Sequence, residues 1–148
     1  MGGRADAVGR RLGGGLRQAT VVFARLALGI GFLSAVADRF GLWGPPGATN
    51  VAWGSFAHFL AYMGRIAPFL PAAWLHAAGW IVTALEVLLG GALIAGVRVR
   101  LTAGIAGCLL LVFAIGMTTG TGLKTALDAS VFTAAAAAFL LATQAGTA

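Results

Sequence analysis

Four mostly apolar runs, each about 20 residues long, constrain the fold of this chain most strongly. They cover residues 19–39, 74–97, 101–118 and 125–142. A helix needs about 20 consecutive apolar residues to cross the hydrocarbon core of a bilayer. Charged residues make up only 9% of the chain, whereas a soluble domain has about 25%. The sequence therefore predicts an all-α membrane protein, a bundle of four transmembrane helices that contacts the lipid bilayer.

The rest of the chain divides into a tail and one long loop. Residues 1–18 hold four arginines among many glycines and are predicted to form a flexible basic tail, followed by a single transmembrane domain over residues 19–143. Residues 40–73 contain all four prolines, which interrupt helices, and are predicted to form an outer loop. Within this loop, apolar residues recur at helical spacing over residues 53–65, which predicts a short amphipathic helix at the membrane surface.

The basic residues predict the orientation of the bundle. Lys and Arg number 10 against 4 Asp and Glu, but no basic stripe with interleaved aromatics is present, so no nucleic-acid partner is expected. A cytoplasmic N-terminus places six arginines inside and three cations outside. The inner six are Arg4, Arg10, Arg11, Arg17, Arg98 and Arg100, and the outer three are Arg39, Arg65 and Lys124. The positive-inside rule thus predicts a multi-pass protein with cytoplasmic N- and C-termini. We expect it in a bacterial inner membrane.

A cleavable signal sequence is the alternative interpretation of the first run. A basic N-terminal region, an apolar stretch and the tripeptide Ala35-Val36-Ala37 resemble one. Arg25 lies inside the apolar stretch and argues against cleavage, and three further apolar runs follow it.

Two charged residues fall inside the predicted spans. Arg25 lies about 12 Å, and Glu86 about 15 Å, from the cytoplasmic ends of the first and second spans. An isolated charge at mid-membrane costs about 2.5–3.5 kcal/mol on insertion scales. Opposite charges at similar depth on sequential helices predict an intramembrane ion pair between Arg25 and Glu86. The pattern leaves open whether this pair fixes the helix register or binds a proton or a substrate.

A second group of polar residues is expected at the outer boundary of the membrane. Lys124 and Asp128 are four residues apart and share a helix face. If the loop folds over them, a half-apolar pocket for a ligand or partner is predicted. Its candidate members are Asp38, Arg39, His58, Tyr62, Lys124 and Asp128. The alternative is a lipid-facing cap without a pocket.

Familiar catalytic and metal-binding motifs are missing from the sequence. No P-loop, Rossmann fingerprint, HExxH motif or G-x-S-x-G elbow occurs. His58 and His76 are 18 residues apart, which is not a metal-ligand spacing, so no metal site is predicted. The single cysteine, Cys108, lies in an apolar run and is predicted to be a packing residue. No residue is predicted to be catalytic.

Several residues in and just beyond the first two runs resemble a known family of small membrane proteins. They are Arg25, Gly29, the pair Asp38-Arg39, the stretch Glu86-Val-Leu-Leu-Gly90-Gly and Arg98. With them the chain resembles the DoxX family over residues 21–141. The stretch ADRFGLWGPPG, residues 37–47, also resembles a subgroup of that family.

The resemblance implies a function as well as a fold. The family is similar to the small subunits of thiosulfate:quinone oxidoreductase, and some members are linked to sulfur and redox homeostasis alongside soluble partners. We therefore expect an accessory membrane subunit of a redox or sulfur-metabolism system with a soluble redox partner. One alternative is an enzyme subunit that passes electrons from a small sulfur compound to quinone as cofactor. Another is a small proton-coupled transporter, and the sequence leaves open whether the chain forms a homo-oligomer.

Overall fold

The computed structural model describes the backbone of residues 2–145 and the side chains of residues 13–145. All regular structure in this part of the chain is helical, which confirms the all-α prediction. The helices are α1 (Gly2–Arg39), α2 (Phe56–Ile66), α3 (Ala72–Ala95), α4 (Val99–Thr121), α5 (Leu123–Asp128) and α6 (Val131–Gln144). The predicted loop helix is therefore present as α2, which begins after the N-cap residue Ser55.

Three helices are long and apolar enough to cross a membrane. They are the Gly13–Arg39 part of α1, together with α3 and α4. Large apolar side chains on these helices, such as Phe23, Leu88 and Val112, are exposed on the protein surface. An apolar surface of this extent is compatible with contact to lipid rather than water. The chain is therefore a helical membrane protein.

The fourth predicted span is divided into two helices. Residues 125–142 fall in α5 and α6, and α6 has only 14 residues, or about 21 Å of helix against about 30 Å of hydrocarbon. The two helices are separated at Ala129 and Ser130, where Ser130 adopts a left-handed backbone with φ 54°. The described part of the chain therefore contains three helices of span length and does not confirm the predicted count of four.

α1 begins much earlier than the sequence predicts. It has 38 residues and runs through the segment 1–18 that is predicted to be a flexible tail, although Met1 lies outside the described residues. Glycine weakens helices, but no proline interrupts this segment, and adding a turn to an existing helix is easier than starting one. The guanidinium Nη2 of Arg17 also donates a 2.6 Å hydrogen bond to the carbonyl oxygen of Gln144 at the end of α6.

Glycines allow the long helices to approach closely. A Cβ atom on Gly29 of α1 would lie 2.8 Å from the carbonyl oxygen of Gly90 on α3, and one on Gly107 of α4 would lie 2.7 Å from the ring of Phe139 on α6. Small residues at such crossings bring backbones together. The two contacts join α1 to α3 and α4 to α6 around a core that includes Leu93.

The bundle has two distinct ends. At the loop end, α1 terminates, the long loop begins, and α2 packs against α3 and α4. At the turn end, α3 and α4 are joined through residues 96–98, where Gly96 and Arg98 have φ values of 77° and 41°. The functional site proposed from the sequence belongs to the loop end.

Candidate functional site: a buried charged cluster at the loop end

Arg39, the last residue of α1, lies at the centre of a buried charged cluster. Its Nη2 donates a 2.8 Å hydrogen bond to Oε1 of Glu86 on α3, and its Nη1 donates a 2.9 Å hydrogen bond to Oγ1 of Thr83. Nη1 also lies 2.5 Å from the second carboxylate oxygen of Glu86. Arg39 and Glu86 are each only 2% exposed. A buried ion pair therefore joins the end of α1 to the middle of α3.

This pair corrects the predicted ion pair between Arg25 and Glu86. In the structure, Nε of Arg25 donates to the carbonyl oxygen of Leu93 at 2.9 Å, and Nη2 donates to that of Ile94 at 3.0 Å. These carbonyls belong to the last turn of α3, where helical carbonyls have no partner within the helix and carry partial negative charge. Arg25 therefore caps the end of α3 and does not neutralise Glu86.

The antiparallel register of α1 and α3 explains the correction. Gly29 lies against Gly90, which puts Arg25 beside the end of α3 and brings the long side chain of Arg39 within reach of Glu86. The prediction assumes that Arg25 and Glu86 lie at equal depth. The observed register instead places Arg25 beside Leu93 and Ile94, seven and eight residues beyond Glu86 along α3.

Asp38 attaches the loop to the end of α1. Its Oδ2 accepts hydrogen bonds from the backbone N–H groups of Ala52 at 3.1 Å and Trp53 at 2.9 Å. Its other oxygen, Oδ1, is buried and has no hydrogen-bond partner among the described residues. The chain turns away from α1 at Gly41, whose φ of 73° is a left-handed conformation that glycine adopts readily. Asp38 therefore holds Ala52 and Trp53 of the loop against the end of α1.

Two aromatic rings cover the guanidinium of Arg39. Its Cζ lies 3.8 Å from the ring centroid of Phe59 on α2 and 5.4 Å from that of Trp53 in the loop. The two rings pack edge to face with their centroids 5.3 Å apart. A desolvated cation–π contact stabilises a protein by about 2 kcal/mol. These contacts therefore fix both the loop and α2 onto the Arg39–Glu86 pair.

A small cavity lies next to the charged cluster, between one face of α1 and the loop. Its volume is about 340 Å³, within the range of about 300–1,000 Å³ that is usual for small-molecule sites. The lining residues are Gly31, Ser34, Ala35, Asp38, Trp43, Asn50, Ala52 and Trp53. The indole Nε1 of Trp43 donates a 3.1 Å hydrogen bond to the carbonyl oxygen of Ser34, which fixes this ring beside α1. The cavity therefore combines two indoles with the edge of a buried carboxylate.

The predicted loop residues lie near this cluster in different ways. Tyr62 is half-buried, with its ring centroid 6.1 Å from that of Trp53. His58 is exposed, and its Nδ1 shares a 2.8 Å hydrogen bond with Oγ of Ser55 at the start of α2. Tyr62 therefore belongs to the aromatic layer over the cluster, and His58 supports the N-terminus of α2.

Lys124 and Asp128 do not join the cluster. Their side chains form an ion pair with each other at 2.5 Å and are 85% and 65% exposed. Both lie on α5, which packs against α4 and α6. Among residues 13–145, no hydrogen bond or ion pair links this pair to Asp38, Arg39, His58 or Tyr62. A pocket that unites all six predicted residues is thus not formed, because α2 packs on α3 and α4 rather than over α5.

Three members of the cluster were missed by the sequence analysis. They are Thr83, Trp53 and Phe59. A signal for Thr83 exists, because Gly79, Thr83, Glu86 and Gly90 recur at helical spacing and mark one small and polar face of α3. The hydroxyl of Thr83 accepts from Arg39 and donates to the carbonyl oxygen of Gly79 at 2.8 Å. No comparable signal distinguishes Trp53 and Phe59 from interfacial aromatics.

Within the described side chains, no three His, Cys, Asp or Glu residues lie close enough together to hold a metal ion. No protein-family model matches the chain. No curated protein and no solved structure matches it either. The expected membership of the DoxX family therefore rests only on the sequence motifs given above.

Proposed function

We propose that this chain is an accessory membrane subunit of a redox or sulfur-handling system, and that its loop end meets a soluble partner. The redox and sulfur part of the proposal rests on the resemblance to the DoxX family. The choice of the loop end rests on one structural observation. Arg39 joins α1 and α3 while Phe59 and Trp53 cover it, so the loop and α2 form a fixed surface on the spans.

The proposal includes a fourth crossing of the membrane. α5 and α6 together cover residues 123–144, which amounts to about 33 Å of helix if both contribute to one path across the bilayer. Four crossings would place both termini on one side. The arginines at the turn end, Arg98 and Arg100, favour the cytoplasm of a bacterial cell for that side, and the loop end then faces outwards.

The surface of the loop end has the composition of a recognition surface. Leu42, Trp43, Phe69 and Trp74 are exposed there, and aromatic residues are enriched in protein–protein interfaces. The hydrogen bonds from Ala52 and Trp53 to Asp38 hold the loop in place. A surface that is ordered before binding loses less conformational entropy when a partner docks.

The cavity beside Asp38 favours a second candidate, an enzyme subunit that transfers electrons to quinone. The indoles of Trp43 and Trp53 line the cavity with Ser34 and Asn50. Aromatic faces suit a flat quinone ring, and the hydroxyl and amide groups are of the type that donates hydrogen bonds to quinone carbonyls. These residues therefore fit a quinone head group, which would supply the two-electron acceptor.

Affinity purification in mild detergent separates the two candidates. Soluble proteins and extractable quinone that co-purify would be quantified by mass spectrometry for the wild-type chain and for a Leu42→Ala/Phe69→Ala double variant, which removes two exposed side chains. Lys124→Gln, on exposed α5, is the matched control. The accessory role predicts a stoichiometric soluble redox protein that is lost only in the double variant. Stoichiometric quinone without such a protein supports the quinone-linked enzyme subunit. If neither a soluble protein nor quinone co-purifies, both candidate functions are contradicted.

A further inference from the structure

A groove of about 700 Å³ runs along α4 at the turn end, far from the charged cluster. Its floor consists of Leu101, Gly104, Ile105 and Cys108. Gly104, Ile105 and Cys108 lie three, four and seven residues after Leu101, so the four residues share one face of α4. Arg98 and Arg100 line the end of the groove nearest the α3–α4 turn.

The groove floor is not covered by another helix in the described part of the chain. Leu101, Ile105 and Cys108 are exposed. A Cβ atom added to Gly104 would meet no atom within 4 Å. The opposite side of α4, which includes Ala103, Ala106 and Gly107, is buried against the bundle. Because α4 is long and apolar enough to cross a membrane, an exposed apolar groove along it faces the membrane.

The two arginines give the groove a positive end. Both are exposed, and neither side chain forms a hydrogen bond or ion pair within residues 13–145. The three acidic side chains in that part of the chain lie elsewhere, in the charged cluster and on α5. Two guanidinium groups that have no acidic partner within residues 13–145 attract an anionic group at the membrane surface.

We propose that this groove binds one anionic phospholipid. Arg98 and Arg100 hold the phosphate, and an acyl chain lies along the floor from Leu101 to Cys108. Ten residues separate Arg98 from Cys108, or about 15 Å of helix, which is half the thickness of the hydrocarbon core. The groove thus spans one leaflet, as a single phospholipid does.

The charge pattern favours a lipid over a second copy of the chain. Gly104 and Cys108 have the spacing of residues that bring two helices together. A two-fold interface places the same surface against itself, so the four arginines of two copies would meet at one depth. Like charges at that distance repel, whereas an anionic lipid neutralises them.

Native mass spectrometry of the purified protein tests the proposal, with dioleoyl phosphatidylglycerol and dioleoyl phosphatidylcholine as probes. We expect phosphatidylglycerol to bind about tenfold more tightly, because each arginine near the surface favours an anionic head group. Arg98→Gln/Arg100→Gln should abolish this preference, and Arg65→Gln should keep it. Equal affinity for both lipids in the wild-type chain would overturn the proposal.

A second pair of variants tests the floor of the groove. Gly104→Leu fills the open space and should weaken phosphatidylglycerol binding at least fivefold, whereas Gly91→Leu, at an equally open position on α3, should leave it unchanged. If Gly104→Leu binds as well as the wild-type chain, the acyl chain does not lie on this floor. Oxidative cross-linking of Cys108 between two copies in phosphatidylglycerol vesicles would instead identify a dimer and contradict the proposal.

Discussion

Nη2 of Arg39 lies 2.8 Å from Oε1 of Glu86, inside a membrane protein and beneath the residues of its own loop. The pair neutralises two charges that would each destabilise a lone helix in lipid. It also connects three parts of the chain, because Arg39 ends α1, Glu86 lies in α3, and Phe59 of α2 covers the guanidinium. The ion pair that neutralises Glu86 therefore also joins α1, α2 and α3 at the loop end.

Removal of the Asp38 carboxylate should loosen the loop without unfolding the spans. Asp38→Ala removes the acceptor for the N–H groups of Ala52 and Trp53, so hydrogen–deuterium exchange at these two amides should accelerate by about tenfold, as expected for a lost hydrogen bond to a charged group. Asp128→Ala, on an exposed helix, should leave these rates unchanged. Unaltered exchange at Ala52 and Trp53 in Asp38→Ala would show that the loop has another anchor.

Phe59 should contribute to stability through Arg39 as well as through its own burial. Phe59→Leu preserves most of the apolar volume but removes the ring over the guanidinium. We expect it to cost about 2 kcal/mol more in the wild-type chain than in an Arg39→Met background. Thermal unfolding in detergent measures the difference. Phe132→Leu, a half-buried ring near Ala126, is the control and should cost the same in both backgrounds.

Two of the glycines of α1, Gly29 and Gly31, should respond in opposite ways to alanine. A Cβ on Gly29 would lie 2.7 Å from the side chain of Ile94 and 2.8 Å from the carbonyl of Gly90, so Gly29→Ala should lower stability by about 1–3 kcal/mol through overpacking. Gly31 has nothing within 4 Å. Gly31→Ala should be neutral or stabilising by up to about 1 kcal/mol, because alanine favours helix. Similar melting temperatures for the two variants would contradict the observed α1–α3 contact.

The proposed orientation can be measured with single cysteines in a Cys108→Ala background. Gly3→Cys should be protected from a membrane-impermeant thiol reagent in intact cells, and Ala48→Cys, in the loop, should react. Lysed cells provide the control, because both positions should then be labelled. Labelling of Gly3→Cys in intact cells, or protection of Ala48→Cys, would reverse the proposed orientation.

The helical membrane fold could be predicted because apolar runs of span length permit few other structures. The interruption at Ala129 and Ser130 could not be predicted, since neither proline nor glycine marks it. The partner of Glu86 was predicted incorrectly because the depth of Arg25 was estimated from the ends of the apolar runs, whereas the packing of α1 on α3 places Arg25 beside the last turn of α3. Arg39 was placed correctly at the loop end, but a charge at the end of a span is also typical of an interfacial anchor. Only the packing of α2 shows that it is buried.

Arg39, and not Arg25, neutralises Glu86, and double-mutant cycles on unfolding in detergent test this pairing most directly. Arg39→Met and Glu86→Leu should each cost about 3–5 kcal/mol, because each leaves a buried charge unpaired, and the combined variant should recover a large part of that loss. Arg25→Met and Glu86→Leu should be additive within about 0.5 kcal/mol. Additive losses for Arg39 and Glu86, together with recovery in the Arg25 and Glu86 combination, would contradict the account.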